Sequence, residues 1–338
     1  MPIADTASIG SASAKLSSAE GDLDLIIDAV AFETPEIIVL DLVPADGGLL
    51  PPWTPGAHID LVLESGLIRQ YSLCGETDDD TRYRVAILRE TAGRGGSAEI
   101  HATAQAGKTI RMRGPRNHFQ LVDAPRYLFV AGGIGITPIL PMIKHAEVTN
   151  RPWHLVYGGR SRSSMAFLTE LAKRLGGELT LVPQDELGFP DLDGVIGQLE
   201  DGTAIFGCGP AAMLTALEAV ANNHGRAASL HVERFTADPN SLQAAGAAED
   251  RPFEVELRQS GLVLHVPADR KLGDVLQDAN VPIPFSCQEG YCGSCETRVL
   301  EGVPDHRDTI LTDAERSVGD IMMVCCGRSL TPRLVLDL

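Results

Sequence analysis

Between Asp22 and about Asp123, apolar residues come in short, partly alternating runs separated by turn-forming residues. Leu25–Val30, Glu36–Leu42, His58–Leu63, Ile68–Leu73, Tyr83–Leu88 and Thr109–Arg113 read as strands, and Pro51-Pro52-Trp53-Thr54-Pro55-Gly56 marks a turn between two of them. With a single short helical stretch, Ser97–Ala104, this pattern predicts a small antiparallel β-barrel.

The texture changes near Arg126. Continuous apolar runs at Tyr127–Ala131, Trp153–Tyr157, Leu179–Val182, Ala204–Phe206 and Ser229–Val232 alternate with helical stretches ending near His145, spanning Met165–Leu175 and running from Ala211 to Asn222. Unbroken strands alternating with helices predict a parallel sheet covered on both faces. The segment DPNSLQAAGAAED, Asp238–Asp250, holds few large apolar residues and reads as a linker. Beyond it, Phe253–Leu257 and Leu262–Val266 predict a hairpin around Gly261, followed by a helix over Leu272–Asp278. The chain is thus expected to be multidomain, α/β and β: a tail over 1–21, a barrel over 22–123, an α/β domain over 124–236, a linker over 237–251 and a third domain over 252–338.

Composition narrows the functional classes. The chain has 338 residues, with 46 acidic against 28 basic side chains and a formal net charge of −18. That excess argues against nucleic acid or an anionic membrane as the main partner. No apolar run approaches the roughly 20 residues that span a bilayer. The N-terminus, with Asp5 and no continuous apolar core, does not read as a secretory signal, so a reducing cytoplasm is the expected setting.

The seven cysteines change the picture most. Cys74 and Cys208 are isolated, whereas Cys287, Cys292, Cys295, Cys325 and Cys326 crowd the C-terminal end, an odd set that makes a poor disulfide framework. Cys287, Cys292 and Cys295 follow C-x4-C-x2-C, the plant-type 2Fe–2S spacing, with Gly290 and Gly293 able to let backbone N–H groups approach sulfur. Zinc also takes four thiolates, but its structural sites use paired short spacings rather than three plus one. The segment resembles the plant-type ferredoxins, whose fourth ligand follows the third after 29 residues. That resemblance selects Cys325 and leaves Cys326 a spare thiol.

Two further constellations suit anionic cofactors. Arg69-Gln70-Tyr71-Ser72-Leu73 ends a predicted strand, and Gly93-Arg94-Gly95-Gly96-Ser97 opens the short helix, offering free N–H groups to a phosphate. Ala131-Gly132-Gly133-Ile134-Gly135-Ile136-Thr137-Pro138 follows a buried strand, with Thr137 placed as helix N-cap and Pro138 as first helical residue. It is not GxGxxG. Arg160-Ser161-Arg162 and Gly207-Cys208-Gly209-Pro210 follow later strands, and would lie along the same C-terminal sheet edge.

Together these motifs resemble the ferredoxin-NADP-reductase superfamily, in its phthalate dioxygenase reductase branch, over about Asp22 to Leu338. The resemblance implies FMN beside Arg69, Tyr71 and Ser72, with its phosphate on Gly95, Gly96 and Ser97. It puts NADH along Gly132, Gly133, Gly135, Arg160 and Ser161, Thr137 at the flavin border, Cys208, Gly209 and Pro210 facing the nicotinamide, and Phe235 covering the flavin. The third domain becomes a β-grasp ferredoxin. His118, in Pro115–Phe119, receives no chemistry. The implied activity carries electrons from NADH through FMN to the 2Fe–2S cluster and on to a Rieske-type aromatic oxygenase or demethylase, with no acid–base catalytic residue required. Two alternatives stay open: an electron-transfer subunit of another flavoenzyme, and a non-enzymatic redox carrier or sensor. NADPH stays open as well, since Arg160 and Arg162 could meet a 2′-phosphate.

Overall fold

The computed structural model describes residues 22–90, 95–174, 176–235 and 250–338. The expected tail, Gly93, Arg94 and nearly all of the expected linker lie outside the described residues.

Six strands, β1 (Leu23–Thr34), β2 (Ile37–Pro44), β3 (His58–Val62), β4 (Ile68–Ser72), β5 (Tyr83–Leu88) and β6 (Thr109–Arg116), form an antiparallel sheet in the order β4-β3-β6-β1-β2-β5. A bridge between Leu73 and Val85 joins the two ends, so the sheet closes into the expected barrel. Helix α1 (Gly96–Thr103) sits where the sequence predicts it. The run Ile37–Leu40 is buried throughout because β2 is covered on both faces. Ile38, Leu40 and Leu42 point into the barrel core, while Ile37 and Val39 join a second core shared with the next domain.

That next domain is a parallel sheet in the order β11-β10-β7-β8-β9. Its strands are β7 (Arg126–Gly132), β8 (Trp153–Gly159), β9 (Glu178–Pro183), β10 (Thr203–Cys208) and β11 (Leu230–Glu233). Its helices are α2 (Ile136–Val148), α3 (Leu168–Leu171), α4 (Gln184–Leu187), α5 (Leu192–Gly197) and α6 (Ala211–Asn223). Alternate residues of β7 leave by opposite faces: Tyr127, Phe129 and Ala131 pack toward α2 and the barrel, Leu128 and Val130 toward α5 and α6. The barrel and the parallel sheet therefore share one apolar core, including Cys74, Ala86 and Phe119.

The third unit contains β12 (Phe253–Leu257), β13 (Leu262–Val266), α7 (Leu272–Asp278), β14 (Glu296–Glu301), β15 (Pro304–Asp305), α8 (Asp313–Val318), β16 (Ile321–Met323), β17 (Arg328–Ser329) and β18 (Arg333–Leu336). Its main sheet runs β13-β12-β18-β14-β16, with β12 and β18 parallel and α7 packed on the inner face through Leu272, Val275 and Leu276. Among the described residues no helix is long and apolar enough to cross a membrane.

Two local expectations fail. The helix expected over Met165–Leu175 shrinks to α3, because Met165, Ala166 and Phe167 are all buried in a turn, with Phe167 in the left-handed region. Three consecutive buried residues cannot share one helical face. Thr137 is not an N-cap: α2 starts at Ile136 after a 3₁₀ turn over Gly133–Gly135, and the Thr137 hydroxyl donates to the Ile134 carbonyl at 3.0 Å.

Candidate functional site

The cysteine loop runs from the end of the 280s segment into β14. Cys287, Cys292, Cys295 and Cys325 are all buried, and the Cys287 thiol hydrogen-bonds with both Cys292 and Cys325. Gly290 and Gly293 hold φ of 79° and 74°, the left-handed region that lets the loop turn back on itself. Among the described residues no three such side chains converge on one point as ligands of a single ion. A two-iron cluster, held by two protein ligands per iron, does not require that. Cys326 is oriented differently: a Cβ on Gly290 would lie 2.5 Å from its sulfur, which faces the Met323 carbonyl at 3.8 Å. The four-thiolate set fits the cluster, and Cys326 packs beneath the loop.

On the barrel, Arg69, Tyr71 and Ser72 lie on β4. The Arg69 side chain crosses directly over Gly96, where any Cβ would collide with its Nε. Gly95 takes the cap position of α1 at φ 83°, with nothing within 4 Å of a would-be Cβ. The open cradle, the backbone N–H groups of α1 and the neighbouring guanidinium suit a phosphate. The Ser97 hydroxyl accepts from the Glu90 backbone N–H at 3.0 Å, an anchor that ties α1 to the end of β5. Burial pushes the Tyr71 phenol up, so it stays neutral.

The nucleotide-type turns meet at the C-terminal edge of the parallel sheet. Cys208 pairs in register with Ala131 on one side and Glu233 on the other. A Cβ on Gly132 would strike Pro210 at 2.6 Å, and one on Gly209 would lie 2.9 Å from the Gly132 Cα, so these glycines allow the two turns to pack. Gly135 is pressed against the Cys208 carbonyl in the same way. Gly133, at φ 53°, faces open space instead, as a ligand-facing backbone should. The Gly133 carbonyl accepts from the Tyr157 hydroxyl at 3.1 Å.

The arginines are less available than the sequence suggests. Arg160 pairs with Glu36 of the β1–β2 turn, and Arg162 with Glu186 at 3.1 Å. Ser161 forms a capping box with Ser164. Phe235 packs against the core shared by barrel and sheet. Sequence reading missed Glu233 as a member of this edge. Its carboxylate oxygen lies 4.0 Å from the Cys208 sulfur, and burial pushes its pKa up to about 8. Burial pushes the Cys208 thiol well above its ordinary range, and Glu233 once ionised pushes it further, so Cys208 is not a thiolate nucleophile. The only sequence signal was the position of Glu233 at the end of the last strand.

The family described as "2Fe-2S iron-sulfur cluster binding domain" matches residues 255–329. The phenoxybenzoate dioxygenase subunit beta of Ectopseudomonas oleovorans is 42% identical over 94% of this chain and 97% of its own length. Among solved structures, phthalate dioxygenase reductase, described as a modular structure for electron transfer from pyridine nucleotides to [2Fe-2S], is 34% identical at TM-score 0.68, covering 94% of this chain and 98% of that one. A type IV self-sufficient cytochrome P450 monooxygenase gives TM-score 0.85 at 40% identity over 94% of this chain, which spans 41% of that larger protein.

Proposed function

Because this chain belongs to the phthalate dioxygenase reductase-like family of oxygenase reductases, we propose that it carries electrons from NADH through FMN and a 2Fe–2S cluster to a Rieske-type aromatic-ring dioxygenase or O-demethylase. The division is an FMN barrel over 22–123, an NAD domain over 124–236, a linker over 237–251 and a ferredoxin domain over 252–338. The observation that carries the reading is adjacency: the cysteine loop packs on barrel strand β3, next to β4 with Arg69, Tyr71 and Ser72.

Flavin, when bound, would accept one hydride, two electrons together, from NADH and release the electrons one at a time to the cluster. The protein supplies placement. Arg69 and the α1 N-terminus, with Gly95, Gly96 and Ser97, hold the FMN phosphate. Gly132, Gly133 and Gly135 let the nucleotide approach the sheet edge. Thr137 borders the flavin, and Cys208, Gly209 and Pro210 border the nicotinamide. Arg160 and Ser161 would flank the adenosine end, and Phe235 would cover the flavin ring. Cys287, Cys292, Cys295 and Cys325 bind the cluster. Because Glu36 already engages Arg160 and Glu186 engages Arg162, a 2′-phosphate meets neutralised arginines, which favours NADH over NADPH. The oxygenase binds transiently in the cytoplasm, steered by the chain's excess acid toward a basic patch. Stopped-flow mixing of the NADH-reduced protein with an oxidised Rieske oxygenase tests this: its Rieske signal in electron paramagnetic resonance should rise and the effect should weaken with salt. No electron transfer to any Rieske oxygenase, with transfer to another flavoenzyme, would overturn it.

A further inference from the structure

Where the cysteine loop meets the barrel, the contact is polar, buried and directional. Asp60, on β3, is 1% exposed. One of its carboxylate oxygens accepts from the Ser286 hydroxyl at 3.3 Å, and the other pairs with Arg116 Nη2. The same Arg116 nitrogen donates to the Ser294 hydroxyl at 3.1 Å. Ser286 immediately precedes Cys287, and Ser294 immediately precedes Cys295. One buried carboxylate therefore holds both ends of the segment carrying the first three sulfurs, once directly and once through a guanidinium.

Two histidines complete this face. His58, two residues from Asp60 on the same side of β3, is buried and stacks on His118 with ring centroids 5.7 Å apart. A Cβ on Gly293 would lie 2.6 Å from His118 Nε2, so only a glycine lets the loop approach that closely. The register ties this face to the flavin side: Ile59 opposes Tyr71 and Asp60 opposes Gln70 across the β3–β4 ladder. A hydrogen-bonded sheet does not stretch, so whatever clamps the loop to β3 also fixes its interval from β4.

We propose that Asp60 and Arg116, with His118 as the floor, form a seat for the cysteine loop and act as positioning residues that set the flavin-to-cluster distance. The assignment rests on the proposed FMN and 2Fe–2S functions of the two sites. Electron transfer through protein falls steeply with separation, so a loosened seat slows the step between the centres and spares hydride transfer, which needs only the nucleotide and the flavin.

The test uses the holoprotein and Asp60→Asn, which keeps the size of the side chain and removes its charge. Hydrogen exchange, followed by mass spectrometry, should accelerate in peptides covering 286–294 on the order of 10- to 100-fold, as expected for losing charge-assisted hydrogen bonds. In anaerobic stopped flow, flavin bleaching by NADH should stay within about twofold of wild type. The cluster phase should slow by on the order of tenfold. Loss of the buried carboxylate that pairs with the half-buried Arg116 endangers folding. If Asp60→Asn does not fold, Ser286→Ala leaves the Asp60–Arg116 pair intact, and should speed exchange about two- to tenfold in the same peptides. Unchanged exchange and an unchanged cluster phase would overturn the seat, as would flavin and cluster phases slowing equally. If NADH fails to bleach wild-type flavin, the proposed function fails instead, while the exchange comparison still decides the seat.

Discussion

Glu233 offers a quantitative handle on the sheet edge. Burial raises its carboxyl from 4.5 to about 8, so at neutral pH the folded protein holds it protonated beside Cys208. In the unfolded chain the same group ionises near its ordinary value. Between those two values the unfolded state binds fewer protons, so stability falls as pH rises, and above about 8 the loss is complete. At about 1.4 kcal/mol per unit, a shift of that size would amount to about 5 kcal/mol. The side chain is only partly shielded from solvent, which brings the figure to about 2–3 kcal/mol. Glu233→Gln removes this one titration, while the histidines whose folded values burial lowers add stability over the same range in both proteins. Urea unfolding at pH 6 and pH 8, read by tryptophan fluorescence, isolates Glu233 as a difference: the stability of wild type relative to the variant should fall by about 2–3 kcal/mol between the two values. The nucleotide should follow, since an ionised Glu233 repels a pyrophosphate, and NADH affinity should weaken above pH 8 in wild type alone. Parallel pH profiles for the two proteins would refute the reasoning.

Other positions give sharper yes-or-no outcomes. Cys325→Ser should abolish the visible absorbance of the iron–sulfur cluster, whereas Cys326→Ser should retain it; the spectrum of the purified proteins separates the two. Arg69→Ala should weaken FMN binding by about 1.5–3 kcal/mol, the worth of a charge-assisted hydrogen bond, or roughly 10- to 100-fold in Kd by fluorescence titration. Leu40→Ala, at a fully buried position of the barrel core, should cost about 2–5 kcal/mol in denaturant unfolding and leave the sheet-edge residues unchanged.

Much of this was legible in the chain because local chemistry set it. Tyr83–Leu88, Phe253–Leu257, Leu262–Val266 and Leu272–Asp278 form elements with the expected ends, since each has a clean period or flanking turns. Met165–Leu175 misled because its apolar residues serve a turn, not a face, and only tertiary packing distinguishes them. The Gly-rich stretch after β7 did point to the sheet edge, but the cap moved from Thr137 to Gly135, where the backbone has to pass the Cys208 carbonyl. Acid partners of Arg160 and Arg162 come from residues 124 and 24 positions away, and no sequence spacing announces such pairs. Asp60 is harder still: in sequence it is one acid within an apolar strand, and its meaning appears only when Ser286, 226 residues later, lies against it.

The most direct measurement is anaerobic titration of the as-isolated holoprotein with NADH and then with NADPH, followed by absorbance across the flavin and cluster bands. The account predicts flavin bleaching and then cluster reduction with NADH, little response to NADPH at the same concentration, and FMN as the flavin released on denaturation. A protein whose flavin and cluster are left oxidised by both nucleotides would contradict it.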